Sequence, residues 1–128
     1  MNELPQWVKD FNAKKQVDVF YNTGWNTMYP INSYVQSSKD ENEFEGKPFG
    51  ADQKGFPYDL KRFIGKNYGT VASTPYGNTL TAMMAKEAIA KEEMGKDSVT
   101  DFLAVSFSSP DYIGHAFGPN SIEVEDTY

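Results

Sequence analysis

The sequence predicts an α/β fold in which helices flank a strand that is covered on both faces. The observation behind the strand is the run TDFLAVSFS at residues 100–108, whose apolar side chains alternate onto both sides of an extended chain. Such a strand is typical of a sheet with helices on both faces. Helical spacing of apolar residues at 3–15 and 79–94 supports the same fold class.

The composition indicates a globular chain and excludes several classes of partner. Of the 128 residues, 39% are hydrophobic, and 12 Lys+Arg against 18 Asp+Glu give a net charge of −6. Because no basic stripe is present, nucleic acid is not an expected partner. The chain has no cysteine, and its longest apolar run is too short to span a membrane.

The first two thirds of the chain combine one clear helix with an irregular region. Leu4, Trp7, Val8 and Phe11 form an apolar stripe, which predicts a helix over 3–15. Residues 17–69 are rich in aromatics, Gly, Pro and Asn without a sustained period, and they predict an insertion or lid. Short strands are predicted within it at 17–21 and 31–35, and an acidic surface loop at 37–46.

The last third is more regular. Asn78 is predicted to cap a helix at 79–94 that ends at Gly95, after a turn at 75–77. Asn120 is predicted to cap another helix, in which Glu123 offers favourable charge at the N-terminal end. Since no residue terminates this helix, we expect the chain to be an internal piece of a longer protein. The expected organisation is one partial domain, 1–128, with an insertion at 17–69 and a helix–strand–loop unit at 70–128.

Between these elements lies SSPDYIGHAFGPN, residues 108–120, which is predicted to be a loop at the carboxyl end of the strand. It contains the single histidine, His115, four residues after Asp111. In a helical turn this spacing brings both side chains to one side, where they could share a zinc ion, form an Asp–His hydrogen bond or serve as a cap. A chain with one histidine and no cysteine cannot supply a closed structural zinc site, so further ligands would have to come from elsewhere.

Four stretches resemble the alkaline phosphatase superfamily, and most closely the phosphate-irrepressible alkaline phosphatases and the nucleotide pyrophosphatase/phosphodiesterases. They are LPQWVKDFNAKK, GWNTMYPINSY, STPYGNTLT and DFLAVSFSSPDYIGHAFGPNSIEVEDTY, in the same order as in that family. The resemblance implies part of an α/β sandwich and assigns Asp111 and His115 to one of two zinc ions. It also implies an exported enzyme, periplasmic or secreted, that acts on small phosphate esters.

The mechanism that the resemblance implies is phosphoryl transfer through a phosphorylated Thr or Ser, which zinc-activated water then hydrolyses. No nucleophile motif of the family and no Asp-His-Gly for the second metal occur in the chain. We therefore assign no catalytic residue here, and we expect the chain alone to be inactive, with the remainder of the parent chain as its partner. Two alternatives remain open: a non-catalytic lid, and an exported binding module with Trp25, Tyr29 and Tyr34 as a stacking row. Lys61 and Arg62 could contact phosphate in an assembled site, but the expected position is a solvated one.

Overall fold

Helices joined by irregular segments make up residues 3–128, the part of the chain described by this computed structural model. Within that range the α-helices are α1 (Gln6–Ala13), α2 (Gln16–Thr23), α3 (Pro75–Lys91), α4 (Ser109–Phe117) and α5 (Ile122–Thr127). Short 3-10 helices lie at Ile31–Ser33, Lys61–Phe63 and Gly69–Ser73. Residues 1 and 2 of the predicted partial domain lie outside the described part.

Two of the predicted helices are confirmed with shifted ends. The helix expected at 3–15 is α1, which begins directly after Pro5. The helix expected at 79–94 is α3, and it begins at Pro75 rather than after a turn there, because proline is well suited to the first helical turn. Asn78 therefore lies inside α3 and does not cap it.

The two short strands predicted in the irregular region are wrong. Residues 17–21 belong to α2, and residues 31–33 form a 3-10 helix. Val17 and Tyr21 are four residues apart, so one turn of helix directs both side chains toward the core, where Tyr21 is fully buried. A run of five residues is too short for its apolar pattern to distinguish the two periods.

The strand predicted at 100–108 is not formed within residues 3–128. This stretch has no regular secondary structure, and Phe102 and Phe107 are largely exposed. In the described part of the chain, the pairing of extended segments is limited to the antiparallel bridge between Trp25 and Tyr58. A strand needs a neighbour for its backbone N–H and C=O groups, and no described segment supplies one. The α/β sandwich is therefore not displayed by these residues themselves.

An aromatic core joins the irregular region to α4. Around Trp25, the ring of Phe56 stands edge-on at 5.1 Å and that of Phe117 at 6.2 Å between centroids. Each fully buried ring of this kind contributes about 1.5–3 kcal/mol relative to its exposed state. The buried members of the cluster are Tyr21, Trp25, Phe49, Tyr58, Leu60, Ile113 and Phe117. The irregular region is therefore packed tightly onto the helix that carries Asp111 and His115.

Candidate metal centre

The stretch predicted as a loop, residues 108–120, is mainly helix α4, followed by a turn at Gly118 with φ 90°. Pro110 lies in its first turn, where a missing N–H leaves no helical hydrogen bond unmade. Ile113 and Phe117, four residues apart, are 0% and 5% exposed and face the aromatic core. Asp111 and His115 are also four residues apart, and each lies two positions before one of these buried residues. Two positions are more than half a helical turn, so Asp111 and His115 face away from the core.

Asp111 and His115 lie side by side on the outer face of α4. Oδ1 of Asp111 is 3.4 Å from Nε2 of His115, and the two side chains are 74% and 81% exposed. An ion pair this exposed contributes little to stability. Two ligands of a tetrahedral zinc ion, each at about 2.1 Å, lie about 3.4 Å apart. The separation and the oxygen–nitrogen donor set both fit two ligands of one zinc ion.

Both ends of α4 are hydrogen-bonded to distant parts of the chain. At its start, Oδ1 of Asn78 in α3 accepts the N–H of Ser109 at 3.1 Å. At its end, the N–H of Gly46 donates to the carbonyl oxygen of Ala116 at 2.7 Å. Asn78, predicted as the cap of its own helix, therefore serves the first turn of another.

The surface around the pair is an open concavity of about 600 Å³. Besides Asp111 and His115, the residues that line it are Phe107, Pro110, Gly114, Pro119 and Tyr128. Among residues 3–128 there is no group of three or more His, Cys, Asp or Glu side chains that could hold a metal ion. A complete zinc site therefore requires ligands beyond those that the described residues provide.

Two buried carboxyl groups, one in α5 and one in the irregular region, were missed by sequence reasoning. Glu123 is 0% exposed and accepts a hydrogen bond from the hydroxyl of Tyr58, while its Oε2 has no protein partner. Glu45 is 7% exposed, with no hydrogen-bond partner for either carboxyl oxygen within the described chain. Burial, reinforced by the negative charge of Glu123, raises the pKa of Glu45 to about 7.

The burial of Glu123 and Glu45 differs from what the sequence predicted for α5 and for the loop at 37–46. Glu123 lies in the first turn of α5, as expected, but it is fully buried. Residues 37–46 form the expected irregular and at least partly exposed segment, in which Glu45 is the buried exception. The helix itself is confirmed as α5, but Ser121 rather than Asn120 caps it, by accepting the N–H of Val124 at 3.2 Å. The burial of Glu123 is weakly indicated by its position between two apolar residues. Nothing in the local sequence around Glu45 indicates that it is buried.

The aromatic residues considered as a stacking row do not form one. Trp25 and Tyr34 are 2% and 8% exposed, while Tyr29 is 63% exposed. The carboxylate of Asp126 accepts the indole N–H of Trp25 at 2.8 Å, the N–H of Met28 at 2.7 Å and the hydroxyl of Tyr34. Two of the three rings are thus fixed in the interior, which argues against a binding module of that kind.

Lys61 and Arg62, the basic residues considered in the irregular region, both lie at the surface. Arg62 forms two parallel hydrogen bonds with the carboxylate of Asp52, at 2.9 and 2.6 Å. This side-by-side geometry is the usual one for a guanidinium and a carboxylate. Lys61 is exposed, as expected.

Comparison with known proteins defines the class. The family model of the type I phosphodiesterases / nucleotide pyrophosphatases matches residues 2–128, and the chain belongs to this family. The resemblance to the alkaline phosphatase superfamily is thereby confirmed. No helix among the described residues is both long enough and apolar enough to cross a membrane.

Particular relatives are similar along the whole chain. It is 49% identical over 128 residues to alkaline phosphatase PhoV of Synechococcus elongatus, and 51% identical over 127 residues to alkaline phosphatase PafA of Elizabethkingia meningoseptica. It is also 53% identical over 131 residues to a Myroides odoratus protein named calcium-transporting ATPase. The chain covers 23%, 23% and 24% of these three proteins, respectively, or about a quarter of their length.

Comparison with solved structures agrees with these sequence similarities. The crystal structure of wild-type alkaline phosphatase PafA matches with a TM-score of 0.93 and 50% identity. The match covers 100% of this chain and 25% of that one. The arrangement of helices and irregular segments described above therefore matches a section of that structure.

Proposed function

We propose that this chain is one section of a zinc-dependent phosphoric ester hydrolase of the alkaline phosphatase type. The single observation that carries the proposal is the exposed Asp111–His115 pair on α4, in a chain that belongs to the phosphodiesterase family. Because the chain spans about a quarter of its relatives, we assign the Thr or Ser nucleophile and the remaining zinc ligands to other parts of a longer parent protein. The section alone is expected to be inactive.

In this proposal Asp111 and His115 supply two ligands to one of two zinc ions in the parent. The carboxylate offers an oxygen lone pair, and the neutral imidazole offers the lone pair of Nε2, which is the atom that lies nearer to Asp111. Zinc bound there would supply Lewis acidity to a phosphoryl oxygen and favour the deprotonation of water. The contribution of this chain is to hold both donors on a helix whose opposite face is fixed in the core.

The remaining assignments follow from the same proposal. Residues 100–108 are proposed to become a strand of the parent's α/β sandwich, which would cover Phe102 and Phe107, both exposed here. The substrate is proposed to be a small phosphate ester. The location is proposed to be periplasmic or secreted, in keeping with the alkaline phosphatase family.

The test is a comparison of zinc content and phosphatase activity in the full-length parent. His115→Ala and Asp111→Asn should each reduce kcat/KM for p-nitrophenyl phosphate by at least about 100-fold, since even residues that only support metal ligands affect function by 10–100-fold. Each should also lower the zinc bound per chain, measured by elemental analysis. Glu43→Gln, an exposed carboxylate outside α4, is the matched control and should change neither quantity.

One outcome would reject the proposal. Turnover by His115→Ala equal to that of the wild type at limiting zinc would remove this residue from the metal site.

A further inference from the structure

We infer that Gly46 and Asn78 are positioning residues, which fix helix α4 from its two ends and so set the relative placement of Asp111 and His115. Neither contacts the candidate metal ligands directly. The inference rests on the zinc site proposed above, and it adds two residues to that site's supporting structure.

The contact at the end of α4 requires glycine at position 46. The carbonyl of Ala116 belongs to the last turn, where helix carbonyls lack partners within the helix, and the N–H of Gly46 supplies one at 2.7 Å. A Cβ atom at position 46 would lie 2.5 Å from that carbonyl oxygen and 3.4 Å from the carbonyl carbon of Ala116. Since the obstructing atoms are backbone, a side chain at 46 forces its own segment and the last turn of α4 apart and breaks the hydrogen bond between them.

The contact at the start of α4 replaces a local cap. Ser108 occupies the N-cap position but makes no capping hydrogen bond with its side chain. The N–H of Ser109 is instead accepted by Oδ1 of Asn78, which α3 holds in place from 31 residues away. Loss of this acceptor leaves a donor in the first turn unpaired, and Asp111 lies in that turn.

These two contacts matter because the candidate ligands have little packing of their own. The side chains of Asp111 and His115 are 74% and 81% exposed, so the helix backbone determines where they lie. Ala116 directly follows His115, and a shift of its peptide group moves the imidazole relative to the carboxylate. Metal and catalytic sites tolerate displacements of only about 0.5 Å.

The test measures zinc affinity of the full-length parent by competition with a chelator, together with kcat/KM and the free energy of unfolding. Gly46→Ala and Asn78→Ala are expected to weaken zinc binding by about 10–100-fold, as is typical for residues that orient metal ligands. Asn78→Asp keeps an acceptor for Ser109 and places negative charge at a helix start, so it should retain wild-type affinity.

Gly55→Ala is the matched control for Gly46→Ala. Its Cβ would also meet a close neighbour, the carboxyl group of Asp40, with Cγ at 2.8 Å, but this neighbour is a side chain of the irregular region rather than the backbone of α4. It should lower stability without changing the zinc affinity. If Gly46→Ala does not fold, the Asn78→Ala and Asn78→Asp pair decides alone.

The outcomes separate the inference from the proposed function. Wild-type zinc affinity in Gly46→Ala or in Asn78→Ala, or an equal loss in Gly55→Ala, would overturn the positioning roles. Unchanged zinc affinity in His115→Ala would instead overturn the zinc site itself. A loss in His115→Ala, Gly46→Ala and Asn78→Ala, but not in Gly55→Ala or Asn78→Asp, supports both.

Discussion

The hydroxyl of Tyr58 donates a hydrogen bond to the carboxylate of Glu123 inside the core, although the two residues are 65 positions apart in sequence. Tyr58 is 2% exposed and Glu123 is 0% exposed, so water does not replace either partner. Their burial raises the pKa of both groups, and the bond ties the irregular region to α5.

Removal of this hydroxyl should destabilise the fold without creating a large cavity. Tyr58→Phe leaves the carboxyl group of Glu123 buried with one donor fewer, which should cost about 1–3 kcal/mol in the free energy of unfolding. Denaturant titration measures the change. Tyr29→Phe, at an exposed ring, should leave the stability at the wild-type value, and an equal loss in both variants would contradict the role given to the bond.

The buried carboxyl group of Glu45 should make stability fall as pH rises from about 4.5 to 7. The group titrates at 4.5 ordinarily but at about 7 in the folded chain, so the folded state retains a proton that the unfolded state releases in this window. The charged groups that act on it are Glu123, Asp40 and Lys47. Above about pH 7, the contribution of Glu45 to the free energy of unfolding no longer changes with pH.

Glu45→Gln measures this contribution because it cannot ionise. Relative to the wild type, the variant should gain stability steadily between pH 4.5 and 7, in unfolding titrations at closely spaced pH values. Parallel stability curves for the two proteins across that range would show that Glu45 ionises normally.

Asp126→Ala should loosen the packing of Trp25. The change leaves three donors without their acceptor: the indole N–H of Trp25, the N–H of Met28 and the hydroxyl of Tyr34. Because these bonds go to a charged group and are partly buried, the loss should be about 2–3 kcal/mol. Unfolding followed by tryptophan fluorescence checks it, with Asp97→Ala, a carboxylate in an exposed turn, as the near-neutral control.

Gly77→Ala should be destabilising, and a second change should relieve part of the loss. A Cβ at position 77 would collide with Oγ of Ser109 and lie 2.9 Å from the carbonyl oxygen of Val71. Overpacking of this kind costs about 1–3 kcal/mol. In a double-mutant cycle, Ser109→Ala should recover some stability in the Gly77→Ala background, whereas strict additivity would mean that the two sites do not interact.

Gly114→Ala and Gly118→Ala should change stability in opposite directions, although a Cβ meets no atom within 4 Å at either position. Gly114 lies in the interior of α4, where alanine is favoured by about 0.5–1 kcal/mol. Gly118 has φ 90°, a conformation in which a side chain is strained. Thermal unfolding of both variants provides the comparison, and a stabilised Gly118→Ala would be inconsistent with this turn.

Local periodicity was sufficient to predict three of the helices and the pairing of the candidate ligands. The apolar stripe of α1, the face of α3 and the polar start of α5 are each legible within about one or two turns of sequence. The side-by-side placement of Asp111 and His115 follows from their spacing alone once the segment is helical.

What could not be predicted depends on contacts between distant residues. The assignment of residues 17–21 failed because Val17 and Tyr21 satisfy both the helical and the strand period. The burial of Glu45, and the approach of Gly46 to Ala116, arise from tertiary packing and leave no local pattern, and that of Glu123 leaves only a weak one. A strand at 100–108 likewise depends on neighbouring strands, which the described residues do not include.

The unpaired run at 101–107 has a practical consequence for anyone who prepares these 128 residues by themselves. Within the described chain, the backbone N–H and C=O groups of residues 101–107 form no hydrogen bonds with other backbone groups. The exposed rings of Phe102 and Phe107 lie in the same run. A free edge of this kind is a template for addition of a strand from another copy. We therefore expect such a sample to self-associate as its concentration rises, before it loses any helical structure.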